Sequence, residues 1–140
     1  MTITEVERGE LIERAREART RAYAPYSSYP VGAAVLAASG KIYDGVNVEN
    51  AAYPSGVCAE RSAVFTAISQ GEREIRAVAV VTAGGGTPCG ACRQVLWEFG
   101  EQAVVLVADV SGHVVLETPL RDLLAHAFGP RDLGSDKTPS

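Results

Sequence analysis

The amino-acid sequence has no apolar run that could span a bilayer, which takes ~20 residues. Its longest apolar stretches are residues 31–38 and 77–83, so no membrane partner is expected. An excess of basic residues is also missing, since 13 Lys and Arg stand against 17 Asp and Glu, for a net charge of -4. Because long nucleic acids are bound by neutralising their phosphates, this balance disfavours a nucleic-acid partner. Residues 1–7 are acidic where a signal peptide would be basic, and a cytoplasmic location is expected.

Cysteine and histidine are scarce as well: the sequence has three cysteines and two histidines. An odd number of cysteines with no export signal disfavours a disulfide framework and favours metal binding or catalysis. All three lie in two short segments, Cys58-Ala59-Glu60 and Pro88-Cys89-Gly90-Ala91-Cys92. Three thiolates can hold a Zn²⁺ ion and leave its fourth position open for water, which is the ligand number of a catalytic site. We therefore predict that Cys58, Cys89 and Cys92 bind zinc.

A glutamate, Glu60, lies two residues after the first cysteine. The signature of zinc nucleobase deaminases is His-x-Glu followed downstream by Pro-Cys-x-x-Cys, in which the Glu moves protons and does not bind the metal. Cys58 stands where that signature has His, as in the three-cysteine variant. The motif thus predicts that a zinc-activated hydroxide attacks C4 of a cytosine-like ring. Glu60 would carry protons from the water to the ring nitrogen and to the departing ammonia.

Such a site requires a positive charge nearby, because three thiolates on Zn²⁺ leave a net negative charge that weakens the metal as a Lewis acid. Arg61 follows Glu60 directly, and its guanidinium can donate hydrogen bonds to thiolate sulfurs. Two other uses of the cysteines remain open. Cys-x-x-Cys is also a redox motif, although this leaves Cys58-Ala59-Glu60 unexplained. A closed structural zinc site would need His113 or His126, and neither has ligand spacing to a cysteine.

Hydrophobic periodicity predicts an α/β fold in which one sheet carries helices on its faces. The predicted helices are 4–24, 58–70, 89–99 and 119–128, and the predicted strands are 31–39, 41–46, 75–83, 103–108 and 113–117. We expect residues 1–129 to form a single domain and residues 130–140 a polar, loosely ordered C-terminal tail. Cys58 and Cys89 would both begin helices, whose N-terminal partial charge favours thiolates. Cys92 lies one helical turn after Cys89, so the three sulfurs could meet.

Five ordered blocks of this sequence resemble the small homotetrameric cytidine deaminases, zinc enzymes of the cytidine and deoxycytidylate deaminase family. The blocks are Ala24-Pro25-Tyr26-Ser27 with Tyr29-Pro30-Val31-Gly32-Ala33-Ala34, Asn47-Val48-Glu49-Asn50-Ala51-Ala52-Tyr53, Cys58-Ala59-Glu60-Arg61, Pro88-Cys89-Gly90-Ala91-Cys92-Arg93-Gln94, and Ala127-Phe128. The resemblance implies hydrolysis of cytidine and 2′-deoxycytidine to uridine and 2′-deoxyuridine with release of ammonia, a reaction of pyrimidine salvage. It also implies one Zn²⁺ per subunit and a three-layer α/β/α sandwich around a mixed five-stranded sheet. The active sites would lie at the subunit interfaces of a homotetramer.

The resemblance assigns the substrate contacts too. Asn47 and Glu49 would hydrogen-bond the ribose 3′-hydroxyl, and a carboxylate at that place would repel a nucleotide's phosphate. Tyr29, where the family more often carries Phe, would pack against the pyrimidine ring. The backbone of Ala59 and Cys89 would contact the amide edge and the amino group of the ring.

Two further assignments concern the subunit boundary, where Phe128 would come from a neighbouring subunit and Tyr53 would lie near the junction. A blasticidin-S-type deaminase has the same zinc motif, but that family departs at the residue matching Glu49. Deaminases of nucleotides or polynucleotides usually keep His as the first ligand. A zinc-stabilised binding module without catalysis is the remaining alternative.

Overall fold

The computed structural model describes residues 2–134. Three α-helices and five strands carry the fold. They are α1 Glu5–Arg19, β1 Gly32–Ala37, β2 Ile42–Val46, α2 Ala59–Ser69, β3 Ile75–Val81, α3 Gly90–Phe99, β4 Val104–Ala108 and β5 Val114–Pro119. Short 3₁₀ helices occur at Tyr53–Ser55, Leu120–Asp122 and Pro130–Leu133. None of the helices among the described residues is long and apolar enough to cross a membrane.

The five strands form one sheet in the order β2-β1-β3-β4-β5. β3 and β4 run parallel and the other neighbours run antiparallel, so the sheet is mixed. Successive residues of each central strand point to opposite faces. Val35 therefore packs in the cluster that contains α2 and α3, whereas Leu36 packs in the cluster that contains α1. The predicted three-layer α/β/α sandwich around a mixed five-stranded sheet is confirmed.

Two glycines allow the helices to lie directly on the strands. A Cβ atom at Gly32 would stand 2.0 Å from the Ala15 carbonyl oxygen of α1, and one at Gly45 would stand 2.3 Å from the Ala63 nitrogen of α2. Both obstacles are backbone atoms, which cannot move away without moving a helix. The close contact at Gly45 fixes the height of α2 above the sheet, and with it the residues that begin α2.

The first helix has the predicted start but a different end. Thr4 and Glu7 form a capping box, in which the Glu7 N–H donates to Thr4 Oγ1 at 3.0 Å and the Thr4 N–H donates to Glu7 Oε1 at 2.9 Å. The helix ends at Arg19 instead of continuing to residue 24. The reason is that Tyr23 pairs with the segment after β2, since its N–H donates to the Asn47 carbonyl at 3.0 Å. This pairing brings residues 23–29 beside Asn47 and Glu49.

The predicted helix at 119–128 is wrong. Pro119 is the last residue of β5, and only Leu120–Asp122 adopt a helical turn, of the 3₁₀ type. Side chains of α3 bind carbonyls of this segment instead. Arg93 Nη1 donates to Leu123 O at 2.8 Å, a carbonyl that a helix would use, and Gln94 Nε2 donates to Phe128 O at 2.9 Å. His126 has a φ of 52°, in the left-handed region, which a continuing helix does not allow.

The start of the predicted C-terminal tail contains ordered structure. Pro130–Leu133 form a 3₁₀ helix, and the Gly129 N–H donates to Asp132 Oδ2 at 2.8 Å across the boundary at residue 130. The tail is therefore not loosely ordered over residues 130–134. Residues 135–140 lie outside the described residues. The division into a domain of 1–129 and a tail of 130–140 stays a prediction.

Candidate active site

The three cysteines meet at one point, as the sequence predicts. Their Sγ atoms all lie within 4.8 Å of one another, with 3.9 Å between Cys58 and Cys89 and 3.4 Å between Cys89 and Cys92. Cys58 is the residue before α2, and Cys89 is the residue before α3. The cluster therefore sits where the N-termini of two helices converge, and the partial positive charge of those ends favours thiolates.

This donor set fits zinc. All three cysteines are free thiols, and thiolates are strong ligands for Zn²⁺. In the described part of the chain no other group of three His, Cys, Asp or Glu side chains could hold a metal. Neither His113 nor His126 belongs to the cluster, so residues 2–134 add no fourth His, Cys, Asp or Glu ligand to it. Three protein ligands agree with an open, catalytic type of site and not with a closed structural one.

Charge is unevenly shared within the cluster. A hydrogen bond from the Cys92 thiol, with a further one from Arg61, lowers the pKa of Cys58 to about 5. The pKa of Cys92 is raised, because its thiol donates to Cys58 and because the residue is fully buried. Of these two cysteines, Cys58 thus carries a negative charge more readily than Cys92. Cys89 is the exposed member of the three.

Arg61 lies beside this charge. Its Nη2 donates to Cys58 Sγ at 3.3 Å, and the pKa of the guanidinium is raised by that hydrogen bond. Its Nε is buried and has no acceptor among residues 2–134. Arg61 thus donates one hydrogen bond to a cysteine sulfur and has a second N–H group that could donate to another acceptor. Such an arginine is suited to a negatively charged site next to the cysteines. The predicted contact with the thiolates is present, and its effect on the metal stays a prediction.

Glu60 lies in the first turn of α2, and only 5% of its surface is exposed. Burial raises the pKa of this carboxyl group, and the negative charge of Cys58 acts in the same direction. A carboxyl group whose protonated form is stabilised can both accept and return a proton near neutral pH. The raised pKa agrees with the role of proton carrier predicted for Glu60, and that role stays a prediction.

A cavity of about 640 Å³ opens above the cluster. Its size is typical of sites for small organic ligands. It is lined by nearly all the residues that the sequence assigns to zinc or substrate: Tyr29, Asn47, Glu49, Tyr53, Cys58, Ala59, Glu60, Arg61 and Cys89. Cys92 is buried beneath the cavity.

Phe128 does not line the cavity formed by its own chain. It stands outside any helix, with 58% of its surface exposed, so it is not the buried end of a C-terminal helix. Its backbone is held to α3 through the Gln94 side chain. The expectation that Phe128 serves a neighbouring subunit stays a prediction.

Asn47 and Glu49 line the cavity on the segment that follows β2. Asn47 Oδ1 accepts from the Val31 N–H and its Nδ2 donates to the Tyr29 carbonyl, both at 2.9 Å. Glu49 Oε1 accepts the N–H groups of Tyr26 and Ser27 at 2.9 and 3.1 Å, and Oε2 accepts from the Ser27 hydroxyl. The hydrogen bonds from Ser27 and Tyr26 lower the pKa of Glu49, which keeps it ionised.

Both side chains keep unused hydrogen-bonding capacity. A carboxylate offers about four acceptor sites and a carboxamide two donors and two acceptors. Three of the four on Glu49, and one donor and one acceptor on Asn47, are taken by the bonds just given. Within the described residues, one acceptor on Glu49, and one donor and one acceptor on Asn47, remain for a hydroxyl group, which is itself both donor and acceptor.

Comparison with known proteins identifies the family. The model of the "Cytidine and deoxycytidylate deaminase zinc-binding region" matches residues 6–108. The chain belongs to this deaminase family.

Its similarity to family members extends over most of the chain. A cytidine deaminase from Sporosarcina psychrophila is 48% identical over 126 residues, which cover 88% of this chain and 92% of that protein. One from Halalkalibacterium halodurans is 42% identical over 131 residues, 91% of this chain and 98% of that protein. The crystal structure of cytidine deaminase from Burkholderia pseudomallei superposes with a TM-score of 0.82 at 45% identity. This superposition covers 90% of the present chain and 100% of the Burkholderia chain.

Several residues of this deaminase site had no role assigned from the sequence. Tyr26 and Ser27 hold Glu49, and Arg93 holds the loop before Cys89, donating from Nε to Pro88 O at 2.7 Å. All three lie in the blocks that resemble the family, and this position in the sequence could have marked them as site residues. Thr82 also lines the cavity, and nothing in its surroundings in the sequence marks it.

Proposed function

We propose that this protein hydrolyses cytidine and 2′-deoxycytidine to uridine and 2′-deoxyuridine, with release of ammonia. The observation that carries the proposal is the convergence of three cysteine sulfurs, all within 4.8 Å of one another, at the floor of a cavity that also contains buried Glu60. Family membership supports the same reaction. Asn47 and Glu49, which line the same cavity, support a nucleoside as the substrate.

Cys58, Cys89 and Cys92 would hold one Zn²⁺ per subunit, which supplies Lewis acidity and lowers the pKa of water when bound. Glu60 takes one proton from the attacking water and delivers it to N3 of the pyrimidine. It then passes the second proton to the amino group on C4, which leaves as ammonia. Burial of Glu60 supports this part, because the raised pKa of the carboxyl group makes the protonated form accessible. Arg61 offsets the charge of the thiolates.

The sugar would be held by the free acceptor of Glu49 and the free donor of Asn47, which match the 3′-hydroxyl. A 5′-phosphate is disfavoured because Glu49 stays ionised. Tyr29 would pack against the pyrimidine ring from the cavity wall. The backbone of Ala59 and Cys89, next to the metal ligands, would contact the amide edge and the amino group of the ring.

We further propose that four copies assemble into a homotetramer, with active sites at subunit interfaces. The exposure of Phe128 and Tyr53, two large aromatic side chains that are 58% and 76% exposed, supports this. Tyr53 packs edge-on against Tyr26, with ring centroids 6.0 Å apart, at the mouth of the cavity. We also propose a cytoplasmic location, since thiolate ligands need a reducing compartment. Sedimentation equilibrium tests the tetramer.

The loss of cytidine absorbance in the ultraviolet tests the reaction. Purified protein with measured zinc content is mixed in parallel with cytidine, deoxycytidine, cytidine monophosphate and blasticidin S. We expect turnover of the first two and little turnover of the others. A zinc-loaded sample that changes neither nucleoside would overturn the proposal. Turnover of blasticidin S alone would favour the rival family.

A further inference from the structure

A loop of three glycines, residues 84–86, connects β3 to the segment that carries Cys89. It is held by Thr82, a polar residue with only 2% of its surface exposed. The N–H groups of Gly85 and Gly86 donate to Thr82 Oγ1 at 2.8 and 2.7 Å. One hydroxyl oxygen therefore fixes the turn of the loop, and removing it would leave two backbone donors without this acceptor.

The loop is confined from both sides. A Cβ atom on Gly85, whose φ is +81°, would stand 2.5 Å from Val115 Cγ2 on β5. A Cβ atom on Gly86 would stand 2.9 Å from the Tyr29 hydroxyl oxygen and 3.8 Å from Thr82 Oγ1. The tip of the aromatic side chain that lines the cavity thus stands where a side chain on Gly86 would be. The close approach involves the hydroxyl group, which a phenylalanine at position 29 would not have.

The geometry points to a specific role for these residues. The glycine loop, held in place by Thr82, packs against the Tyr29 hydroxyl group, and this packing fixes the position of the Tyr29 ring in the wall of the substrate cavity. The inference rests on the proposed function insofar as Tyr29 packs against the substrate's pyrimidine. Gly86 is then a specificity-determining position for this chain. Thr82 is a positioning residue, which acts through the loop and not on the reacting atoms.

A methyl group at Gly86 tests the contact. Tyr29 is 46% exposed, so its ring can turn away from an added methyl group without unfolding the protein. The turned ring no longer lies along the cavity wall, and the loss is one of substrate binding. Substitutions at two residues in contact typically change each other's effect on an equilibrium constant several-fold. We therefore expect Gly86→Ala to raise KM for cytidine about fivefold, with kcat within about twofold of wild type.

The experiment is a double-substitution cycle at positions 29 and 86. In the Tyr29→Phe background the hydroxyl is gone, and Gly86→Ala should then raise KM by less than about twofold. Gly84→Ala is the matched control, because a Cβ atom at Gly84 meets nothing within 4 Å. An equal effect of Gly86→Ala in both backgrounds would overturn the inference. So would an equal effect of Gly84→Ala and Gly86→Ala.

Thr82 is tested by a matched pair of substitutions. Thr82→Ser keeps the acceptor oxygen, and Thr82→Val replaces it by a methyl group of similar size. We expect Thr82→Val to raise KM several-fold with zinc content retained, and Thr82→Ser to restore most of the wild-type KM. If Val and Ser variants have the same KM, the hydroxyl does not position the loop.

A failure of the proposed function would be seen separately. If the wild-type protein deaminates no nucleoside, the cycle is read from the thermal unfolding midpoint, which does not depend on turnover. Gly86→Ala should then lower the midpoint in the wild-type background and lower it less in the Tyr29→Phe background. Equal shifts in the two backgrounds would overturn the contact itself.

Discussion

Replacing Arg61 with glutamine should weaken zinc binding without removing a zinc ligand. Glutamine keeps a hydrogen-bond donor, on a shorter side chain, but carries no charge. The guanidinium it replaces donates to Cys58 Sγ at 3.3 Å. Three thiolates on a divalent cation leave a net negative charge, so the lost positive charge acts on the metal site directly.

The distance sets an upper bound on the effect. Two unit charges 3.3 Å apart attract by about 5 kcal/mol at an effective dielectric constant of ~20. Arg61 is only partly buried, and water would screen the vacated place, so the net loss is well below that figure. Partners of metal ligands are typically worth ~10- to 100-fold in metal affinity, or about 1.4–2.7 kcal/mol. We expect Arg61→Gln to fall within this range.

The assay is a competition for zinc between the protein and a chromophoric chelator at fixed pH. Arg61→Lys keeps the charge but loses the planar set of donors, and it should lose less affinity than Arg61→Gln. Arg73→Gln is the matched control, because Arg73 is an exposed arginine after the other end of α2 that donates to the Ile68 and Glu72 carbonyls. Zinc affinity of Arg61→Gln equal to that of wild type would refute the reasoning. An equal loss in Arg73→Gln would refute it too.

The site and the fold yield four other predictions. Glu60→Gln should retain zinc and thermal stability but lose ~10²- to 10⁴-fold in kcat, because only the proton carrier is removed; steady-state rates with zinc analysis check this, and retained turnover would place the proton path elsewhere. Glu49→Gln should raise KM for cytidine with little change in kcat, since it acts on the sugar; a fall in kcat alone would contradict that. Gly45→Ala should destabilise the fold by about 3 kcal/mol, because its Cβ would stand 2.3 Å from the Ala63 nitrogen. Gly9→Ala, with nothing within 4 Å inside α1, should instead stabilise it by about 0.5–1 kcal/mol in urea unfolding.

The metal site could be predicted because its residues are grouped in short motifs with local rules. Cys58 and Cys89 each stand just before a helix, and helix starts that follow strands of one sheet tend to lie at a common edge. Glu60 and Arg61 are placed by the first turn of the same helix. No long-range information beyond the sheet was needed to bring these groups together.

The C-terminal segment could not be predicted, because contacts distant in sequence override its local pattern. Thr118-Pro119 is typical of a helix start, yet Pro119 pairs with Val104 in the sheet. Arg93 and Gln94, on another helix, then take the carbonyls of Leu123 and Phe128. The local helix propensity of a segment does not indicate that side chains of another helix will hydrogen-bond its carbonyl groups.

The same limit applies to the support of Glu49. Its hydrogen bonds come from Tyr26 and Ser27, more than twenty positions earlier in the chain. They form because Tyr23 leaves α1 to pair with Asn47, a backbone contact that no motif specifies. The resemblance to known deaminases supplied the residues but not the bonds that hold them.

The spacing between the Asn47 end and the Cys58 end of the cavity is set by a single backbone pair. Asn47 directly follows β2, and Cys58 directly precedes α2. Between them Val48 and Val57 exchange two N–H···O bonds of 3.0 Å, which close the loop of residues 49–56 at its base. Since β2 is in turn held against α2 at Gly45, neither end can move along the cavity alone. The separation of Glu49 and the cysteines is therefore set by the scaffold. Tyr53 lies within the closed loop, where its ring packs edge-on against Tyr26.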